Sequence, residues 1–229
     1  MITALRTPFK ARLHRLGLAC LCLVAQGVAK ADSWPAPVIT EVFSASREWF
    51  VRVVPGRSLG DTVGFAGSPK GPYAKAEWYR RDRNRSYHLE REMTLANPVA
   101  PVKFLVTDRG YLVTLDNWHN MGYGTVVGSY APDGRQVAAH RLETLFTPEE
   151  IAAFRTSVSS IWWRTDTVYV REGQRSVYVA VGEKGAELIV EPETGAWQYC
   201  ESRGGKHLCR TMNDNREWRP YREPGTQVP

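Results

Sequence analysis

The sequence predicts an all-β protein of antiparallel β-meanders with one short α-helix, and three observations lead there. Runs of β-branched and aromatic residues alternate with a period of two, turn-forming residues separate these runs at short intervals, and only one stretch carries a helix-start signature.

The elements follow in chain order. Residues 1–31 stand apart as a signal peptide: Arg6, Lys10, Arg12, His14 and Arg15 form a basic start, Leu16 to Ala29 an apolar stretch, and Ala29-Lys30-Ala31 a small-x-small cleavage site before Asp32. The apolar stretch of about 14 residues is shorter than the roughly 20 a membrane-crossing helix needs. Cys20 follows Gly17-Leu18-Ala19, without the leucine of a lipoprotein signal. The expectation is a periplasmic or secreted protein with no transmembrane segment after cleavage.

The leader holds five of the 30 Lys and Arg residues and none of the 24 acidic ones, so the remainder carries 25 basic against 24 acidic groups. A nearly neutral chain lacks the field of a nucleic-acid binder, whose affinity comes from neutralised phosphates. Residues 32–212 are read as a single all-β domain and 213–229 as an irregular C-terminal tail. All eight Trp lie beyond the leader, and most are expected to anchor the core. Two cysteines remain there, Cys200 and Cys209, flanking Gly204-Gly205; an even pair in an exported chain predicts a disulfide across a short hairpin.

Trp49, Val51 and Val53 alternate with Phe50, Arg52 and Val54, and a Gly- and Pro-rich surface loop follows over 56–73. That loop lacks the GxxxxGK[ST] spacing of a phosphate-binding loop. The basic run Arg80 to Arg85 sits at a hairpin tip and reads as a solvated turn. Tyr111, Val113 and Leu115 form the next alternating strand. Thr147-Pro148-Glu149-Glu150 then combines an N-cap, a first-turn proline and a capping-box glutamate, predicting a helix over about 148–155 with Ile151 and Phe154 on one face. Val177, Val179 and Val181 give a later strand. Turns are expected at Pro132-Asp133-Gly134, Glu172-Gly173-Gln174, Lys184-Gly185 and Glu193-Thr194-Gly195.

Three of these strands begin alike. Arg47-Glu48-Trp49-Phe50-Val51, Arg109-Gly110-Tyr111-Leu112-Val113 and Arg175-Ser176-Val177-Tyr178-Val179 start 62 and then 66 residues apart, and each is followed by a strand, a polar turn and a third strand. This unit resembles the blades of the β-propeller superfamily and implies up to three blade-like meanders. The units are longer than the roughly 40 to 50 residues of a blade, and fewer than the four that close a propeller. The resemblance implies no function, because fold does not fix function.

Two segments carry the candidate site. Asp116-Asn117-Trp118-His119-Asn120-Met121-Gly122-Tyr123-Gly124 packs a carboxylate, amides, an imidazole and two aromatic rings into a glycine-hinged loop, so Asp116, Asn117, Trp118, His119, Asn120 and Tyr123 are candidate ligand contacts. The same residues also serve an ordinary capped turn. Ser157 to Arg164, reading Ser-Val-Ser-Ser-Ile-Trp-Trp-Arg, is the second: neighbouring tryptophans in a strand point to opposite faces, so one of Trp162 and Trp163 is expected at the surface with Arg164 beside it.

No catalytic residue is expected, since GxSxG and SxxK are missing. Neither a metal nor a cofactor is expected: no CxxC is present, and Trp118 stands where an EF-hand needs an oxygen ligand. His88, His140 and His207 are scattered and receive no role. The expected function is a non-catalytic binding or structural module of the bacterial cell envelope, with a glycan, peptide or protein as partner. The alternative is a small periplasmic hydrolase using Asp116 and His119 as an acid/base pair. Assembly with other β domains through open sheet edges is a third reading.

Overall fold

Alternating apolar residues build a stack of antiparallel sheets, which the computed structural model describes over residues 34–171, 175–182, 185–211 and 217–221. The leader, the Glu172-Gly173-Gln174 turn and most of the tail lie outside the described residues. The first sheet runs β1 (Thr40–Phe43), β2 (Trp49–Val54), β3 (Lys75–Arg81) and β4 (Tyr87–Thr94), in that spatial order. The second runs β5 (Pro101–Val106), β6 (Leu112–Asn117), β7 (Val127–Tyr130) and β8 (Gln136–His140). Two one-turn or two-turn helices follow, α1 (Leu142–Leu145) and α2 (Pro148–Ala153), then a two-residue ribbon of β9 (Arg155–Thr156) and β10 (Ile161–Trp162). The third sheet comprises β11 (Arg164–Val170), β12 (Val177–Val181), β13 (Ala186–Val190), β14 (Trp197–Arg203), β15 (Lys206–Thr211) and β16 (Arg219–Pro220). Every neighbouring pair is consecutive and antiparallel, so each sheet is a meander.

The three matching sequence segments fall on β2, β6 and β12, the second strand of each sheet. One strand per unit is missing from the sequence reading. β1, β5 and β11 are interrupted by Thr, Glu, Lys, Asp or a leading proline, and their alternation is too broken to register as a strand.

The second sheet is the middle layer. Leu112, Phe104, Val106 and Tyr130 pack with Val51, Val53, Ala76 and Trp78 of the first sheet. On the opposite face Val113, Leu115 and Val127 pack with Val177, Val179, Val181, Leu188 and Trp197 of the third sheet. β6 is therefore buried at every position, whereas its sequence pattern reads as one face in and one face out. Polar links reinforce the stack: Trp78 Nε1 donates to Gly110 O at 2.9 Å, and Ser129 Oγ donates to Pro192 O at 2.6 Å. His140, which the sequence leaves without a role, donates from Nε2 to Gly195 O at 2.7 Å. Gly110 is required where it stands: φ is +81°, and a Cβ would lie 2.8 Å from the Trp49 ring.

Trp78, Trp163 and Trp197 are fully buried in the cores, and Trp49 and Trp218 pack against them, so most of the eight tryptophans are core anchors. Trp34, Trp118 and Trp162 are half-buried. On α2 the Thr147 side chain accepts from Glu150 N while the Glu150 carboxylate accepts from Thr147 N, completing the capping box. The helix ends at Ala153, two residues short of the expected boundary, because Phe154 turns extended to pack on Phe146 at 5.1 Å and Arg155 enters β9. The preceding turn α1 carries no capping signature, and burial of Leu142 and Leu145 explains it instead. Cys200 and Cys209 lie directly opposite on β14 and β15, Cα atoms 4.1 Å apart, and form the disulfide; Gly204 and Gly205 supply the two positive φ angles of the connecting turn. The tail is not wholly irregular, since Arg219 and Pro220 pair with Cys209 and Leu208. No helix among the described residues is long and apolar enough to cross a membrane.

The disulfide constrains the unfolded chain around a separation of nine residues. Replacing both cysteines by alanine is expected to lower the urea-unfolding free energy by about 2 kcal/mol, leaving the far-UV circular dichroism of the sheets in place.

Candidate functional site

β6 runs from the buried middle layer into the candidate loop, and the transition is fixed by Asp116. Its φ is +57°, an uncommon conformation for a residue with a side chain. Its carboxylate is wholly buried, and three donors hold it: Trp163 Nε1 at 2.7 Å and Gly122 N at 3.0 Å on Oδ1, and Arg164 Nε at 2.6 Å on Oδ2. Burial pushes the Asp116 carboxyl above its ordinary value, with the Arg164 charge and the Trp163 and Gly122 hydrogen bonds opposing it. Gly122 has φ +80° and passes so close to β10 that a Cβ would sit 2.7 Å from Ile161 Cβ. Ile161 N donates to Met121 O at 2.9 Å. The loop is thus stapled to the start of the third sheet.

This geometry corrects several sequence expectations. Asp116, Trp163 and Arg164 are structural groups: Trp163 and Asp116 are fully buried, and Arg164 is 5% exposed. The proposed Asp116–His119 acid/base pair does not form, because both carboxylate oxygens are engaged elsewhere. His119 turns away and packs against Phe65 (5.3 Å between ring centroids) and Trp34 (6.0 Å). Trp118 joins the same cluster, donating from Nε1 to Pro35 O at 3.0 Å and meeting the Trp34 ring at 5.5 Å. Trp162, the half-buried member of its pair, lines a separate cavity of about 620 Å³ with Phe154, Arg155, Tyr199 and Glu201. There, burial and the Glu201 and Glu150 carboxylates push the Tyr199 phenol up to about 12.

Asn117, Asn120 and Tyr123 do converge. They line a cleft of about 340 Å³ whose facing wall is Asp61, Thr62, Val63 and Tyr73 of the Gly-rich loop, with Arg141 at its border. That loop is pinned by backbone hydrogen bonds: Arg57 N donates to Pro72 O and Gly60 N to Pro69 O within it, and Gly56 N donates to Val99 O outside it, all within 2.9 Å. Asn117 is a strut, donating from Nδ2 to Tyr123 O at 2.7 Å and accepting on Oδ1 from Asn97 Nδ2 at 2.8 Å. Asn120 ties the two loops together, donating to Val63 O at 2.9 Å and to Ser159 O at 3.2 Å.

Comparison with known protein families, curated proteins and solved structures finds no match to this chain. The site therefore stands on its own geometry.

Asn120 Oδ1 and Thr62 Oγ1, on residues 2% and 6% exposed, are buried behind the cleft lining without a hydrogen-bond partner among the described residues, as are Asn97 Oδ1 and Ser160 Oγ. Sequence reasoning missed Thr62, Asp61 and Tyr73. The glycine density of 56–73 marked a loop, but nothing in its residues showed which other loop it would meet. The cluster Cys200, His207 and Cys209 brings potential metal ligands within 4.8 Å of one another, with both sulfurs committed to the disulfide.

Two outcomes follow from this geometry. Asp116→Asn leaves the buried Arg164 charge without its partner and is expected to cost about 3–5 kcal/mol in urea unfolding, with Arg164→Met on top recovering part of the loss. Desolvation pulls the His119 pKa below its ordinary 6.5, so the unfolded chain takes up that proton first. Its stabilising contribution is complete above the unfolded value and is lost as the pH falls through the lower folded one. NMR titration is expected to give a midpoint under 6.5, and His119→Phe to flatten the decline in unfolding free energy between about pH 7 and 5.

Proposed function

We propose that this chain is an exported, non-catalytic binding module of the bacterial cell envelope, whose ligand seat is the cleft between the 56–73 and 116–124 loops. The observation that supports the reading is the cleft itself, where Asn117, Asn120 and Tyr123 of one loop meet Asp61, Thr62, Val63 and Tyr73 of the other. A pocket with a few fixed polar groups between rigid loops is the usual form of a ligand site. Export rests on the basic-apolar-small order of residues 1–31, and the Cys200–Cys209 bond suits an oxidising compartment. The same reading takes the three stacked meanders as blade-like units, supported by their consecutive antiparallel strands, four in the first two sheets and six in the third, and by the packing between sheets. The hydrolase alternative is disfavoured, because Asp116 is hidden and shares no hydrogen bond with His119.

The test is an NMR titration of the ¹⁵N-labelled protein with a soluble peptidoglycan digest, which offers glycan and peptide together. Shifts confined to Thr62, Tyr73, Asn120 and Tyr123, and weakened at least tenfold by Tyr73→Ala, are the expected result. A digest that leaves these resonances in place would overturn the reading.

A further inference from the structure

We infer that the outer face of the first sheet docks on an anionic lipid surface. Strand register sets Phe43, Phe50, Tyr79 and Leu89 directly opposite one another across β1 to β4, on the face turned away from the core residues Val51, Ala76 and Trp78. Tyr87 closes the row, its ring 4.9 Å from Phe50 and 5.8 Å from Phe43. An antiparallel sheet with one face on a core ordinarily turns polar side chains outward. Here Phe43 and Leu89, at the two margins of the row, are 44% and 54% exposed. Contiguous apolar surface of this kind marks a place of contact.

Ring geometry selects among the occupants. Phe50 and Tyr79 stack face to face, centroids 4.4 Å apart and planes within 4° of parallel. They sit on adjacent strands, which lie about 4.8 Å apart, so the stacking axis runs across the sheet and the rings stand with their edges outward. Phe43 flanks Phe50 on its other side at 5.0 Å. A sugar or a nucleobase stacks on ring faces, and in this row those faces are already covered. The hydroxyls are spent as well: Tyr79 donates to Glu77 Oε2 at 2.9 Å and Tyr87 to Arg47 O at 2.6 Å. What faces outward is apolar edge, which the headgroup and acyl boundary of a membrane receives without directional contacts.

Charge gives the lipid its sign. The β1–β2 and β3–β4 turns border one end of the row and carry Arg47, Arg81, Arg83 and Arg85. None of these arginines has an ion pair among the described residues. Asp82, set between them, is engaged by Ser86 N at 2.8 Å and His88 Nε2 at 2.9 Å, which leaves Glu48 as the other acidic group of both turns. On the far side of the row the charges are paired with one another, Arg52 with Glu41 and Glu77, and Lys75 with Glu92. Guanidinium groups free of carboxylates beside an apolar strip suit lipid phosphates.

The experiment follows the full chain by flotation with vesicles of phosphatidylcholine alone and of phosphatidylcholine mixed equally with phosphatidylglycerol. Residues 1–31 are common to every variant, so a difference between variants reports the sheet face. The unmodified chain is expected to bind the anionic vesicles at least tenfold more tightly than the neutral ones, and to release them as salt rises from about 0.1 to about 1 M and the Debye length shrinks from about 10 to about 3 Å. Phe43→Ser combined with Leu89→Ser, both at exposed positions, is expected to weaken binding at least tenfold while the urea midpoint stays in place. Arg81→Gln combined with Arg83→Gln is expected to weaken binding to the anionic vesicles alone. Hydrogen exchange in the β1–β2 and β3–β4 turns is expected to slow when anionic vesicles are added. Equal binding to both vesicles, variants that bind like the unmodified chain, or unchanged exchange in these turns would overturn the inference. So would a chain that ignores vesicles and self-associates in sedimentation through Phe43 and Leu89, which would assign the face to a second copy.

Discussion

The double burial of the middle sheet is the constraint on which the rest depends. A four-stranded meander by itself hides one face and leaves the other wet, so its stability is marginal. Here β6 and β7 give alternate side chains to two different cores: Leu112 and Tyr130 to one, Val113, Leu115 and Val127 to the other. Both large cores draw on the middle sheet, while the third sheet carries a small further cluster of Tyr178, Ile189, Cys200 and Cys209 on its other face. At the end of β6 the Asp116 side chain is wholly buried, so its carboxylate must be paired internally.

Asp116 is the clearest consequence. A carboxylate entering this dry layer must find donors, and it finds Trp163, Arg164 and the backbone of Gly122. The same three bonds lock the following loop onto the third sheet, which makes Asn117 and Asn120 rigid rather than adaptable. Asn120 then spends its donors reaching the Gly-rich loop and Ser159. The cleft is the residue of that construction: two loops held by core-anchored polar groups.

The candidate segment was legible in the sequence because its composition is extreme for a β-turn. What its residues do was not. Asp116, Trp163 and Arg164 look like surface chemistry in one dimension, a carboxylate near an imidazole and a tryptophan beside an arginine. In three dimensions they satisfy one another, since a buried charge is tolerated only when paired. Thr62 and Tyr73 carry no local signal at all. Their place in the cleft comes from a contact between segments 57 residues apart in the chain, a separation no periodicity or motif encodes.

Local pattern alone determined the β class, the meander order, the capping box at Thr147 and the pairing of Cys200 with Cys209. Each of these is set by neighbouring residues: alternation by the strand's two-residue repeat, the cap by groups three positions apart, the disulfide by a short hairpin with glycines at its turn. Tertiary structure decided which sheet lies in the middle, why β6 is buried on both faces, and which loops meet to enclose the cleft. Those outcomes depend on how whole sheets stack. Hydrophobic burial is non-directional, so a strand's pattern states that a face must be covered without stating what covers it.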